Sequence, residues 1–345
     1  MVADGHLVDA GVVVVATAVV WVGSGWFETA SERLSAYYGL PPVVQGSVVA
    51  AVGSSFPELA TVVFSAVVTG ELGLGVGAIV GSAIFNVLVI PAAAGLATEN
   101  PVESNRALVY KEAQFYMLAV STLVITVAMA VIYYPDTSVD YLAGTVTRPL
   151  AIVPLALYGL YVFIQAQDTA DHEVAPETGA EVDAPRQWGR LLAGLAVILV
   201  AVHQLVESVE SLGLAFGIPE FVMGATVAAA ATSLPDALVS VRAARDDRGV
   251  ASLANVLGSN TFDLLVAIPV GVLVLGEASF DFGMAVPMFA VLTLATILLF
   301  TALRTDLRLS TAEAMALLTA YLLFVGWVAL ETFTSVIDYL PGARV

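Results

Sequence analysis

The chain has 345 residues, 59% of them hydrophobic and only 12% charged, with 30 Asp and Glu against 12 Lys and Arg for a formal net charge of −18. Its mean hydropathy is +0.91. A soluble domain is roughly 45–50% apolar and about 25% charged, so these figures exclude a water-soluble enzyme and a disordered chain. The acidic balance argues against nucleic-acid partners.

A helical span needs about 20 apolar residues, and ten candidates follow one another at 8–28, 42–69, 72–96, 107–133, 147–166, 189–210, 218–243, 250–275, 282–303 and 311–334. The long continuous runs predict an all-α polytopic membrane protein rather than an alternating β-barrel. The first basic residue, Arg33, follows the first apolar run, so that run lacks the basic leader of a cleaved signal and is expected to be a retained span. There is no Cys, which leaves no disulfide, thiol chemistry or Cys-bound metal.

Between spans 5 and 6, residues 167–188 are polar and carry Asp168, Asp171, Glu173, Glu177, Glu181 and Asp183. They are expected to form a solvated linker between a first half, 1–166, and a second, 189–345; a weak cation-attracting or regulatory loop is the alternative. With ten spans, Arg33, Arg106, Lys111, Arg186, Arg190, Arg242, Arg245, Arg248, Arg304 and Arg308 fall on one side, against Arg148 and Arg344 on the other. Basic loops stay cytoplasmic, so the linker is expected inside the cell membrane and both termini outside.

An internal repeat organises the two halves. Gly39–Glu58 reads GLPPVVQGSVVAAVGSSFPE, and Gly217–Asp236, at a constant offset of 178, reads GIPEFVMGATVAAAATSLPD. A second block, GSAIFN at Gly81–Asn86, returns as GSNTFD at Gly258–Asp263 with an offset of 177. The repeats, about 39–90 and 217–268, begin in spans of opposite direction, which predicts two inverted five-helix halves. Helices interrupted by Gly and Pro at matching places in inverted repeats point to a transport site at the midplane.

Charge inside a bilayer costs at least ~2.5–3.5 kcal/mol per residue, so Glu58, Asp236 and Asp263 need a purpose. Ser55 and Ser233 precede Glu58 and Asp236 by three residues, and Ser82 and Ser259 precede Asn86 and Asp263 by four, so each pair shares a helix face. Pro57 and Pro235 each remove a helix donor, freeing carbonyls around Gly53 and Ser54 and around Ala231 and Thr232. Carboxylates, hydroxyls, an amide and carbonyls form an all-oxygen set, suited to Ca²⁺, Na⁺ or K⁺ rather than Zn²⁺ or Cu²⁺. The competing reading makes each Ser or Gly an ordinary small residue between packed helices. His203, Glu207 and Glu210 are expected at a helix end at the outer interface, with an ion-entry acid as the alternative, Glu112 at the inner interface, and the glycines from Gly73 to Gly77 in close helix packing.

GSSFPE and GVGAIVGSAIFN in the first copy, with ATSLPDALVSVRAAR and SLANVLGSNTFD in the second, resemble the paired motifs of the calcium/cation antiporter superfamily, and the Ser-x-Pro-acid blocks resemble its sodium/calcium exchangers. The resemblance implies a cation site between spans 2, 3, 7 and 8. It makes Glu58 and Asp236 the paired Ca²⁺ acids, Ser55, Ser82, Asn86, Ser233, Ser259 and Asp263 further ligands, Ser54 and Thr232 flanking ones, and Ala51 and Ala229 carbonyl donors. It also implies that spans 1 and 6 move to open one side at a time. Asp236 stands where microbial exchangers usually carry Glu, and with the GVGAIVGSAIFN block it leans toward the potassium-dependent branch. Ala78 and Ala83 stand where the second copy has Asn255 and Asn260. The low Lys content resembles proteins of salt-loving archaea. The function so implied is Na⁺/Ca²⁺ antiport with K⁺ co-transport left open; the alternatives are a proton-coupled cation exchanger and a non-transporting scaffold or channel. No cofactor and no obligatory protein partner is expected beyond the lipid bilayer and the ions carried.

Overall fold

The computed structural model describes residues 2–39, 51–106, 108–139, 142–170 and 183–334. Among them are nine helices long and apolar enough to cross a membrane, together with a shorter apolar stretch, Phe56–Thr69. The helices are α1 (Val2–Tyr37), α2 (Ala51–Ser54), α3 (Phe56–Phe64), α4 (Gly73–Ala97), α5 (Ala113–Tyr133), α6 (Arg148–Ala170), α7 (Ala184–Phe216), α8 (Glu220–Met223), α9 (Ala229–Arg245), α10 (Gly249–Phe262), α11 (Ile268–Leu275), α12 (Phe282–Arg304) and α13 (Thr311–Phe333). Single π turns at Ser65–Thr69, Leu108–Glu112, Gly224–Ala228 and Asp263–Ala267 extend α3, precede α5, join α8 to α9 and join α10 to α11. Expected span 2 is described only from Ala51 onward, and its residues 42–50 lie outside the described residues, as do 171–182 of the linker. The helices on either side run to Ala170 and begin again at Ala184, inside the stretch expected to be linker.

The helix ends sort into two sets. At one end β1 (Val102–Glu103) pairs antiparallel with β4 (Arg308–Leu309), and Gly249 abuts the backbone of Glu103. At the other, β2 (Ala143–Thr147) pairs with β3 (Glu277–Asp281). Gly70, which ends the first Pro-containing span, and Pro219, which starts the second, line one cleft at that second end. The two repeat copies therefore traverse the bundle in opposite directions, as an inverted repeat requires.

Helix α4 is the axis of the bundle. Apart from Ser82 and Asn86 it is apolar on every side, and nearly every residue from Leu74 to Gly95 is buried, as expected of a helix enclosed by others. Its glycines let α8 and α9 approach closely. A Cβ at Gly77 would strike the Phe221 carbonyl, one at Gly81 the Ala225 carbonyl, and one at Gly224 the Leu74 carbonyl. Close packing, as the sequence suggested, is what these glycines provide.

Two large apolar clusters and a small one around Phe85, Ile90 and Val256 fill the described residues. The largest joins α4, α5 and α10–α13. The second joins α1 and α7 with parts of α3, α4 and α9. Helices α1 and α7 cross at Gly23 and Gly194, where a Cβ on Gly194 would lie 2.9 Å from the Gly23 carbonyl oxygen. Outward positions such as Val14, Val200, Ile132 and Leu323 are exposed and apolar, the surface that lipid requires.

Candidate functional site

The sequence predicted a backbone interruption before Pro57 and again before Pro235. Only the first is found. Ser55, with φ −89° and ψ 8°, separates α2 from α3, whereas α9 runs unbroken from Ala229 to Arg245 with Pro235 inside it. The local residues account for the difference. Gly53 weakens the helix before Pro57, while the aligned stretch Ala228–Ala231 is a run of four alanines, the strongest helix former. The carbonyl four residues before each proline still loses its helical donor.

Ser54 on α2, Ser55 in the turn and Glu58 on α3 face Thr232, Ser233 and Asp236 on α9. Ser82 and Asn86 come from α4, Ser259 from α10, and Asp263 opens the π turn that follows. All ten side chains are buried, and Ser55, Glu58, Ser82, Asn86, Ser233, Ser259 and Asp263 are 0% exposed. The two copies interlock through hydroxyls. Ser82 and Ser233 lie 2.6 Å apart, Oγ to Oγ. The repeat maps that pair onto Ser259 and Ser55, but there Ser259 meets the Ser54 hydroxyl at 2.8 Å and Ser55 donates to the Ser259 carbonyl at 3.4 Å. Thr232 donates to the carbonyls of Ala228 at 3.2 Å and Ala229 at 3.4 Å, so the expected carbonyl of Ala229 is partly engaged by its own helix. For Ala51 only the backbone is described, at the start of α2.

Glu58 faces Asp263 and Asp236 closely enough for mutual repulsion. Both carboxylate oxygens of Glu58 and of Asp263, and the Asn86 amide oxygen, are buried and lack a well-formed hydrogen bond, with the Thr232 hydroxyl the nearest donor to Glu58 and the Ser55 hydroxyl to Asp263. Five buried acceptors gathered without a well-placed protein donor are costly unless something positive or a donor meets them. No three acids or histidines among the described residues converge tightly enough to hold an ion alone. An ion here would draw on carboxylates, hydroxyls, the amide and carbonyls together, the mixed oxygen set that Ca²⁺ and Na⁺ accept. The interruption at Asp263 also has no counterpart at Asn86, where α4 stays α-helical; π turns recur at functional positions.

Sequence reasoning overlooked three neighbours. Glu28 on α1 lies within electrostatic reach of Asp236, and Gly53 leaves room for it, since a Cβ there would sit 3.7 Å from the Glu28 Cα. Its signal was an acid one turn before Glu32, obscured because the first span was expected to stop at residue 28 while the helix runs to Tyr37. Asn260 and Tyr116 were missed as a pair: Asn260 donates to the Ala83 carbonyl and to the Tyr116 hydroxyl, each at 3.1 Å. Elsewhere, His203 and Glu207 sit on the body of α7, with His203 Nδ1 3.4 Å from a Glu207 carboxylate oxygen, because that helix continues to Phe216. Glu112 accepts hydrogen bonds from Tyr161 at 3.0 Å and Gln165 at 2.7 Å.

Comparison with known proteins agrees with this architecture. The chain matches the family described as sodium/calcium exchanger protein over residues 8–167 and 186–330. It is 28% identical to an uncharacterized membrane protein of Methanocaldococcus jannaschii over 78% of this chain and 82% of that one. It is 27% identical to the putative antiporter CaxA of Alkalimonas amylolytica over 86% and 91%. A shorter match, 41% identical, joins 21% of this chain to 11% of the mouse sodium/potassium/calcium exchanger 4. Among solved structures, the sodium-calcium exchanger NCX_Mj soaked with Na⁺ and Sr²⁺ superposes with a TM-score of 0.62 at 22% identity, covering 93% of this chain and 99% of that one. With the family matched through both halves, the chain belongs to the sodium/calcium exchanger protein family.

Proposed function

We propose that this chain is a secondary active antiporter that exports Ca²⁺ in exchange for inward Na⁺, with K⁺ co-transport left to the flux experiment below. The reading rests on one observation above the others: the buried carboxylates of Glu58 and Asp263, lacking well-formed hydrogen bonds and enclosed by hydroxyls that pair between the two inverted copies. Glu58, Asp236 and Asp263 supply charge, while Ser54, Ser55, Ser82, Asn86, Thr232, Ser233, Ser259 and the carbonyls of Ala51 and Ala229 complete the shell. Ca²⁺ and Na⁺ compete for the same oxygens.

Coupling follows from electrostatics. Three acids cannot stay ionised and unneutralised in a low-dielectric interior, so the empty site resists turning from one side to the other and exchange replaces leak. Helices α1 and α7, joined to each other and separate from the main apolar cluster, are the mobile pair that opens one side at a time. The arginine-rich end is cytoplasmic, placing the linker 167–188 inside and both termini outside.

The deciding experiment is ⁴⁵Ca²⁺ flux in sealed vesicles under imposed Na⁺, K⁺ or H⁺ gradients. Uptake driven by an outward Na⁺ gradient is the expected result, and stimulation by K⁺ would add K⁺ to the ions carried. Uptake driven by a pH gradient without Na⁺ would replace this reading with proton coupling, and Ca²⁺ movement needing no counter-ion would make the protein a channel.

A further inference from the structure

Asn86 and Asn260 meet in the centre of the molecule, both with 0% exposure. Asn86 Nδ2 donates to Asn260 Oδ1 at 2.9 Å. Asn260 is not the repeat mate of Asn86; that is Asp263. The mate of Asn260 is Ala83, and Ala83 receives a hydrogen bond from Asn260 Nδ2 on its backbone carbonyl at 3.1 Å. The same nitrogen reaches the hydroxyl of Tyr116, itself 0% exposed, at 3.1 Å.

The donor and acceptor inventory fixes which way each amide points. A backbone carbonyl only accepts, so Asn260 must turn its NH₂ toward Ala83. Its oxygen then faces Asn86. Asn86 must answer with its own NH₂, because two amide oxygens facing each other would repel. The Asn86 oxygen is thereby turned away from Asn260, and it is buried without a hydrogen-bond partner. Free rotation would let an amide present either end to an approaching ion, and the NH₂ end repels cations.

We propose that Asn260, locked by the Ala83 carbonyl and the Tyr116 hydroxyl, is a positioning residue that holds the Asn86 amide with its oxygen toward the transported cation. The inference rests on the exchanger reading and adds α5, which supplies Tyr116, to the elements that shape the site. It also gives a use to a mismatch between the copies. Where one copy offers the Ala83 backbone, the other offers a side chain to read it. Metal ligands are commonly held by outer hydrogen-bond partners in this way, and losing such a partner weakens binding about 10–100-fold.

The test exploits the symmetry of a carboxylate. In Asn86→Asp both ends of the side chain accept, so an oxygen faces the ion in either orientation, and Asn260, whose oxygen then opposes a carboxylate oxygen, no longer helps to hold it. Na⁺ binding is read from the concentration giving half-maximal thermal stabilisation of the purified full-length protein in detergent. Asn260→Ala should raise that concentration about tenfold or more in the wild-type background, and by less than about twofold in the Asn86→Asp background, a strong non-additivity. Equal shifts in both backgrounds would mean that Asn260 is merely structural, and would overturn the proposal. If Asn260→Ala fails to fold, Tyr116→Phe carries the comparison, since it removes one hydroxyl and no volume. It should shift the constant about threefold in the wild type and not in Asn86→Asp; no shift in either, or the same shift in both, overturns the proposal equally. A wild-type protein whose melting ignores both Na⁺ and Ca²⁺ would remove the exchanger reading itself, a result distinct from additivity between the two substitutions.

Discussion

Glu58→Gln separates stability from transport, because the same feature makes Glu58 costly to the fold and useful to an ion. Its carboxylate is 0% exposed, neither oxygen has a well-formed hydrogen bond, and Asp263 and Asp236 face it. An unsatisfied buried polar group costs about 1–3 kcal/mol, more when charged. Glutamine keeps the shape, removes the like-charge repulsion and can donate its NH₂ to an orphaned oxygen of Asp263. In ion-free buffer the mutant should therefore be more stable by about 1–3 kcal/mol. At an unfolding entropy of about 2.1 cal/mol/K per residue, a chain of 345 residues shifts by roughly 1.4 °C per kcal/mol, so the melting temperature should rise by about 1–4 °C.

Binding should change in the opposite sense. At 4 Å and an effective dielectric of about 20, one carboxylate attracts a monovalent cation by ~4 kcal/mol and a divalent one by twice that. Most of this offsets desolvation, and truncating one member of a buried ion pair costs about 3–5 kcal/mol net. Ca²⁺ affinity should fall by more than about a hundredfold, and Na⁺ affinity by less. Saturating Ca²⁺ at 100 times its dissociation constant would stabilise the wild type by about 2.7 kcal/mol and leave the mutant nearly unchanged. Melting curves in choline buffer with and without CaCl₂, alongside ⁴⁵Ca²⁺ flux in vesicles, measure both effects. A mutant that melts below the wild type without ions, still gains stability from Ca²⁺ and transports near the wild-type rate would refute the reasoning.

Other outcomes follow from the same geometry. Asp236→Asn should abolish Ca²⁺ exchange as Glu58→Gln does, because it removes one of the three acids that offset the charge of a divalent ion; flux above about a tenth of wild type would contradict this. If Asp263 holds K⁺, wild-type Na⁺/Ca²⁺ exchange should accelerate with added K⁺ at clamped potential and Asp263→Asn should not, whereas a K⁺-indifferent wild type would leave Asp263 a neutral hydrogen-bond donor. Gly81→Leu places a side chain against the Ala225 backbone and should destabilise by about 3 kcal/mol or more, beyond ordinary overpacking because a backbone cannot rotate aside; a melting temperature within two degrees or so of wild type would count against that contact. A cysteine introduced at Thr178 should resist an impermeant reagent outside right-side-out vesicles, and shortening 167–188 should leave flux intact; outside labelling would reverse the topology, and lost flux would give the linker a role.

Span number, the inverted repeat and the three intramembrane acids were legible in one dimension, because a bilayer imposes them locally. Each span must be about 20 apolar residues long, each buried charge is conspicuous by its cost, and a gapless offset of 178 needs no coordinates to be seen. The same reading placed ten side chains in one site, and the fold buries all ten. Which groups touch which was decided only in three dimensions. The repeat alone would pair Ser55 with Ser259 as it pairs Ser82 with Ser233, yet Ser54 takes the Ser259 hydroxyl, because α2 breaks at Ser55 while its counterpart, carried by four alanines, does not. Glu28 reaches Asp236 because α1 extends a further turn and more than its hydropathy foretold. Asn260 meets Asn86 and Tyr116 across 174 and 144 positions of chain. Such contacts are set by how whole helices pack, glycine against carbonyl along α4, α8 and α9, and packing between distant segments leaves no periodic trace in the sequence of either one.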